Sequence, residues 1–164
     1  MDIGITITGA ILIAICILPF VLMGRNSRKQ NKLLFQSLSN IAAKQNCKIT
    51  VHECCEEYII GLDEPKNFLF FYKRIKDKEI SKQINLAEIQ NCKIINTSRS
   101  NDNEKVIDKL ELSLVSNTKK TPEVLLELYN SDDRMQLGDD FLLIERWAKK
   151  INERLNQLNN SHTN

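Results

Sequence analysis

The sequence predicts one membrane-spanning helix followed by a mainly-β domain of seven antiparallel strands, closed by a C-terminal amphipathic helix. Three observations carry this expectation. An uncharged apolar run extends from Ile3 to Met23. Seven short β-like runs follow in series between Cys47 and Asn130. From Asp140 to Leu158, apolar residues recur at helical spacing. The chain divides accordingly into an anchor (1–24), a basic juxtamembrane or stalk helix (25–46), a folded domain (47–158) and a disordered tail (159–164).

The run from Ile3 to Met23 spans about 31 Å as a helix, close to the roughly 30 Å of a bilayer's hydrocarbon core. Lipid demands a helix, because every backbone N–H and C=O must find a partner within the segment. Only Met1 and Asp2 precede the run, whereas Arg25, Arg28, Lys29 and Lys32 follow it. The excess of basic residues puts that flank in the cytoplasm and the N-terminus outside. A cleaved signal peptide would need a basic n-region, a shorter apolar core and a small-residue cleavage site, and this segment departs from all three. Thr6, Ala10 and Ala14 form a small-residue stripe of the kind that lets two membrane helices approach closely.

Ser27 to Gln45 reads as a helix with Leu33, Leu34, Leu38, Ile41 and Ala42 at helical spacing. It either forms a stalk or packs on the domain. Between Cys47 and Asn130 the runs are CKITVHE, EYIIGLD, NFLFFYKR, ISKQINL, CKIINTS, VIDKLELSLVS and EVLLELYN. Glu64-Pro65-Lys66-Asn67 is a turn between the second and third. Ser98 to Glu104 is a polar loop. In the sixth run, Leu110, Leu112 and Leu114 alternate with Glu111 and Ser113, the pattern of a half-buried antiparallel strand. The third run carries Phe68, Phe70, Phe71 and Tyr72, so both of its faces are aromatic. That predicts a central strand, or one whose outer face meets the first helix or a partner. In the last helix Ile144, Trp147, Ala148, Ile151, Leu155 and Leu158 share one face, and Asp139 or Asp140 caps its start.

Seven strands in series form meanders, either a sandwich or a partly open barrel that the last helix plugs. The alternative is an α+β sheet with that helix across one face. On element order, and on Trp147 in the final helix, the chain resembles the pleckstrin-homology-like (PH-like) superfold. It looks similar to small, largely uncharacterised bacterial membrane-anchored proteins with PH-like cytoplasmic domains. The resemblance covers about 47 to 158 and implies near-orthogonal antiparallel sheets capped by a C-terminal helix. The phosphoinositide motif of PH domains lies in the first hairpin. Here the basic cluster Lys73, Arg74, Lys76 and Lys78 follows the third run instead, so that ligand is not carried over.

The functional signals are sparse. His52, Cys54 and Cys55 are the dense group of soft-metal or redox ligands, but a strand turns Cys55 away from the other two. The remaining cysteines form no CxxC pair, so neither a zinc site nor a disulfide framework is implied. Asp132, Asp133, Asp139 and Asp140 match no EF-hand loop. No nucleophile elbow, zincin, P-loop or dinucleotide motif is present. Arg25, Arg28, Lys29 and Lys32 suit the membrane surface, and Lys73, Arg74, Lys76 and Lys78 suit headgroups or a partner. Nucleic acid would want a basic face on the domain itself. The expectation is a non-enzymatic binding or scaffolding module without cofactor, anchored at the cytoplasmic face, with the lipid bilayer and a protein as partners. The alternatives are an accessory subunit acting through its membrane helix, and a metal or redox protein using His52, Cys54 and Cys55.

Overall fold

A computed structural model describes residues 27–101, 104–118, 122–134 and 136–161. Helix α1 covers 27–44. The strands are β1 (Val51–Cys55), β2 (Tyr58–Asp63), β3 (Phe68–Ile75), β4 (Lys78–Asn85), β5 (Ile89–Asn101), β6 (Glu104–Ser116) and β7 (Val124–Asn130). A 3-10 turn at Leu86–Glu88 separates β4 from β5, and helix α2 runs from Asp140 to Ser161.

The strands form two antiparallel sheets, β1-β2-β3-β4 and β5-β6-β7, and not one seven-stranded barrel. The ladder breaks at the 3-10 turn. Asn85 caps that turn, its side-chain oxygen accepting the Ala87 N–H at 3.1 Å, while Leu86 is buried. The turn sends the chain into a second sheet instead of letting β5 pair along β4. The polar stretch Ser98 to Glu104 is not a loop throughout. The β5–β6 ladder continues through Ser100↔Lys105 to Asn101↔Glu104. Backbone pairing carries a ladder onward where side chains offer little burial.

The membrane assignment is also corrected. Among the described residues no helix is long and apolar enough to cross a membrane. The run from Ile3 to Met23, with its small-residue stripe, lies outside them, as does Arg25. The single-pass anchor, and the N-out, cytoplasmic-domain placement drawn from it, therefore have no support in the structure. The final helix extends past Leu158 to Ser161, beyond the expected start of a disordered tail.

The main core lies between the sheets. Tyr58, Ile60, Leu69 and Phe71 come from the first sheet, and Leu110, Leu112, Leu114 and Leu126 from the second. α2 closes the core with Leu143, Ile144, Trp147, Ile151 and Leu155. Asn152 of α2 meets the free edge of β5. It accepts the Cys92 N–H at 3.0 Å and donates to the Cys92 carbonyl at 2.8 Å, taking the place of a neighbouring strand.

A second cluster forms on the other side of the first sheet. Leu34, Leu38 and Ala42 of α1 pack on Ile59, Phe70 and Tyr72. α1 is thus a packed layer and not a stalk. This accounts for aromatics on both faces of β3: Phe71 enters the main core while Phe70 and Tyr72 lie under α1. Gly61 permits the close approach, since a Cβ there would fall 2.8 Å from Leu38 Cδ2 and 3.0 Å from Ile49 Cγ2. Just past the end of α1, Asn46 (φ 54°) is a left-handed residue that returns the Cys47 N–H to the Ala42 carbonyl at 2.9 Å.

Candidate functional site

His52, Cys54 and Cys55 do not converge. His52 is exposed and its ring lies against Phe35 of α1 at a tilt of 38°, with centroids 4.4 Å apart. Cys54 packs against the α1 cluster, whereas Cys55 packs against the main core. No group of His, Cys, Asp or Glu among the described residues could hold a metal ion.

Cys55 instead belongs to a polar network at the head of α2. Cys55 Sγ and the Tyr58 hydroxyl both donate to Asp140 Oδ1, at 3.2 and 3.1 Å. The other Asp140 oxygen accepts Arg134 Nη2 and the Gly138 N–H. Arg134 also pairs with Glu56 at 2.9 Å and lies over the Tyr129 ring. A cleft of about 440 Å³ opens beside it, lined by Glu53, Cys55, Glu56, Arg134 and Arg146 among others. Nearby, Glu53 accepts the Trp147 indole N–H at 2.6 Å and pairs with Arg146 at 3.2 Å.

This network does not make a reactive thiol. Burial, then the Asp140 hydrogen bond and charge, push Cys55 up to about 11. A thiolate nucleophile requires the opposite shift. Burial also raises Tyr58. Burial disfavours the Arg134 charge, yet Glu56 and Asp140 outweigh it and push that guanidinium above its ordinary value. The arrangement pins the start of α2 to the β1–β2 hairpin. Its members come from 55–58, 134 and 140, and no local pattern announces such a set; the sequence shows only that Asp140 suits a helix start.

The basic candidates separate into different roles. Lys73 is buried, its ammonium 3.0 Å from Glu127 and 4.0 Å from Asp133. It joins the sheets and has no access to an external surface. Arg74 is half-exposed and lies 3.7 Å from Glu79. Lys76 occupies the β3–β4 turn in a left-handed conformation (φ 53°), and Lys78 opens β4. Both are exposed, as are Arg28, Lys29 and Lys32 in the first turns of α1. Packing brings the start of α1 next to Arg74, for Gln30, Leu33, Ser37, Tyr72 and Arg74 line one small recess.

That recess continues along β4. A neighbouring hollow of about 410 Å³ shares Ser37 and Tyr72 and adds Ile41, Glu79 and Ser81. Together they form a groove between α1 and the first sheet's last strand. Among the described residues β4 pairs only with β3, and none of them adds a strand to its other edge. Residues 78–83 are exposed except for the half-buried Ile80. Glu79, Ser81 and Gln83 pair with Arg74, Tyr72 and Phe70, which puts them on the α1 side. On α1, Lys29, Leu33, Ser37, Asn40 and Lys44 share a stripe by helical spacing, and Leu33 is 50% exposed. An exposed leucine beside an open strand edge is a place where an extended chain can dock.

No family model, characterised protein or solved structure matches the chain, so the PH-like resemblance gains no support from known relatives.

Proposed function

We propose that this chain is a non-enzymatic binding module that recognises an extended segment of another protein at the β4 edge. The observation that carries the reading is the open edge of β4 beside the α1 groove. An unpaired edge presents alternate backbone N–H and C=O groups, and a docked chain completes the ladder while its side chains reach the groove. The polar cleft at the head of α2 favours the same reading. Its acids Glu53 and Glu56 are engaged by Arg146, Trp147 and Arg134, and its Cys55 thiol is held protonated.

Selection of a random octapeptide display library on the full chain tests this reading. Selected peptides should protect the amides of 78–83 from hydrogen exchange. Selection of no peptide, or protection confined to other elements, would refute it.

A further inference from the structure

We infer that the β4 edge is built for an acidic strand: an extended partner segment in which carboxylates alternate with small apolar side chains. The inference rests on the binding reading above and adds the chemistry and spacing of the ligand.

The β4 ladder fixes which face each side chain takes. Lys78, Ile80 and Lys82 lie on one side of the strand, as their pairing with Ile75, Lys73 and Phe71 shows. Lys78 and Lys82 are exposed, and Ile80 between them is half-buried. A strand added at this edge would set its own residues opposite these three, with Cβ atoms about 4.5–5.5 Å away. Carboxylates opposite Lys78 and Lys82 and a small residue opposite Ile80 satisfy that face. The alternate positions of the added strand would point to the α1 side. There they meet a groove of mixed lining, in which Leu33, Ile41 and Tyr72 offer apolar contact to small side chains beside Gln30, Ser37, Glu79 and Ser81.

The surrounding charge favours the same ligand. Lys29 and Lys44 stand at the two ends of the exposed α1 stripe, and Lys76 in the neighbouring turn. Glu79, the acid on the groove side, is already paired with Arg74, leaving Asp77 in the turn as an opposing charge. Lysines on an edge strand also repel a second copy of the same edge. The charge that excludes self-pairing thus selects an acidic strand, so attraction and repulsion act in one device.

Two of the other three sheet edges, those of β5 and β1, fit less well. Asn152 occupies the β5 edge at Cys92. The β1 strand carries Glu53, which is bound to Trp147 and Arg146 of α2.

The test uses the full chain, isotopically labelled, titrated with acetyl-VEVTVEV-amide and with its basic counterpart acetyl-VKVTVKV-amide. Both sequences are palindromic, so either strand direction presents the same face. The expected result is binding of the acidic peptide, with amide shifts confined to 78–83 and 29–44. The K78E/K82E variant, altered only at exposed positions, should bind the acidic peptide at least tenfold more weakly and favour the basic one. Binding of both peptides without preference, or a preference unmoved by K78E/K82E, would overturn the inference while leaving a general strand-docking module standing. Failure of both peptides to bind at millimolar concentration would overturn the inference, while the display selection decides the general strand-docking reading separately. Co-sedimentation with phosphatidylglycerol vesicles, lost in K78E/K82E and without peptide binding, would overturn both in favour of a lipid surface.

Discussion

Glu127→Ala should be among the most damaging single changes in this domain, although Glu127 is only partly buried. The reason is its partner. Lys73 is 1% exposed, and its nearest counter-charge is Glu127 at 3.0 Å. Removing that carboxylate leaves a buried ammonium with Asp133, at 4.0 Å, as its one acidic neighbour among the described residues. Breaking a buried pair in this way typically costs about 3–5 kcal/mol. Asp133 persists and Glu127 is a quarter exposed, so the expected loss is near the lower end, about 3 kcal/mol. Lys73→Met is the informative contrast. It removes the buried charge and keeps an apolar stem, and Glu127 retains Lys109 at 2.9 Å. Its expected cost is below about 1 kcal/mol. The double variant should then be more stable than Glu127→Ala alone, which pairwise addition does not allow. Urea unfolding of all four proteins at pH 7 gives the cycle. Burial by itself would raise the Glu127 carboxyl, but hydrogen bonds from Lys109 and Lys73 outweigh it and hold the group below its ordinary value of 4.5. A depressed carboxyl contributes stability that is fully present above 4.5 and is lost as pH falls through the folded value. The wild type should therefore lose stability on acidification faster than Glu127→Ala does. A cost below about 1 kcal/mol for Glu127→Ala, or equal costs for the two single variants, would refute the reasoning.

Three further outcomes are expected. Gly61→Ala should destabilise by about 1–3 kcal/mol through overpacking against Leu38 and Ile49, and the same change should cost less in a Leu38→Ala background, a non-additivity read by thermal unfolding of the four proteins. Asn152→Ala should leave the Cys92 N–H and carbonyl unpartnered at the β5 edge, at a cost of about 1–3 kcal/mol, with faster exchange of the Cys92 amide as its local signature. Cys55, pushed up to about 11 from an ordinary 9.0, should alkylate with iodoacetamide at pH 8 about 100-fold more slowly in the folded chain than in urea, and equal rates measured by mass spectrometry would contradict its burial.

Much of the element order was legible because it follows from local pattern. Leu110, Leu112 and Leu114 do alternate into the core, and the Glu64–Asn67 turn joins β2 to β3. The doubled aromatic character of β3 left open a central strand or one covered on its outer face; β3 lies between β2 and β4, and α1 covers that face. What failed depends on long-range pairing. The break between sheets hangs on a three-residue turn capped by Asn85, which reads in sequence as a small interruption of one barrel. The ladder through 98–101 was missed because its side chains are polar and its stability comes from the partner strand. The basic run Lys73, Arg74, Lys76 and Lys78 looked like one surface cluster. The alternation of a strand turns Lys73 inward, and only the position of Glu127 shows that a buried lysine is tolerated there. The groove was invisible for the same reason: Leu33 scored as one more apolar helical residue, and its exposure appears only once α1 is laid against β3.

The account turns on the state of the β4 edge in solution, and amide hydrogen exchange on the full chain reads it directly. If the edge is open, alternate amides between Lys78 and Gln83 exchange rapidly while those of β2 and β3 stay protected, and the fast amides become slow when acetyl-VEVTVEV-amide is added. Amides of β4 that are uniformly protected in the free chain would show that the edge is already covered, and would contradict the assignment of this edge as the binding site.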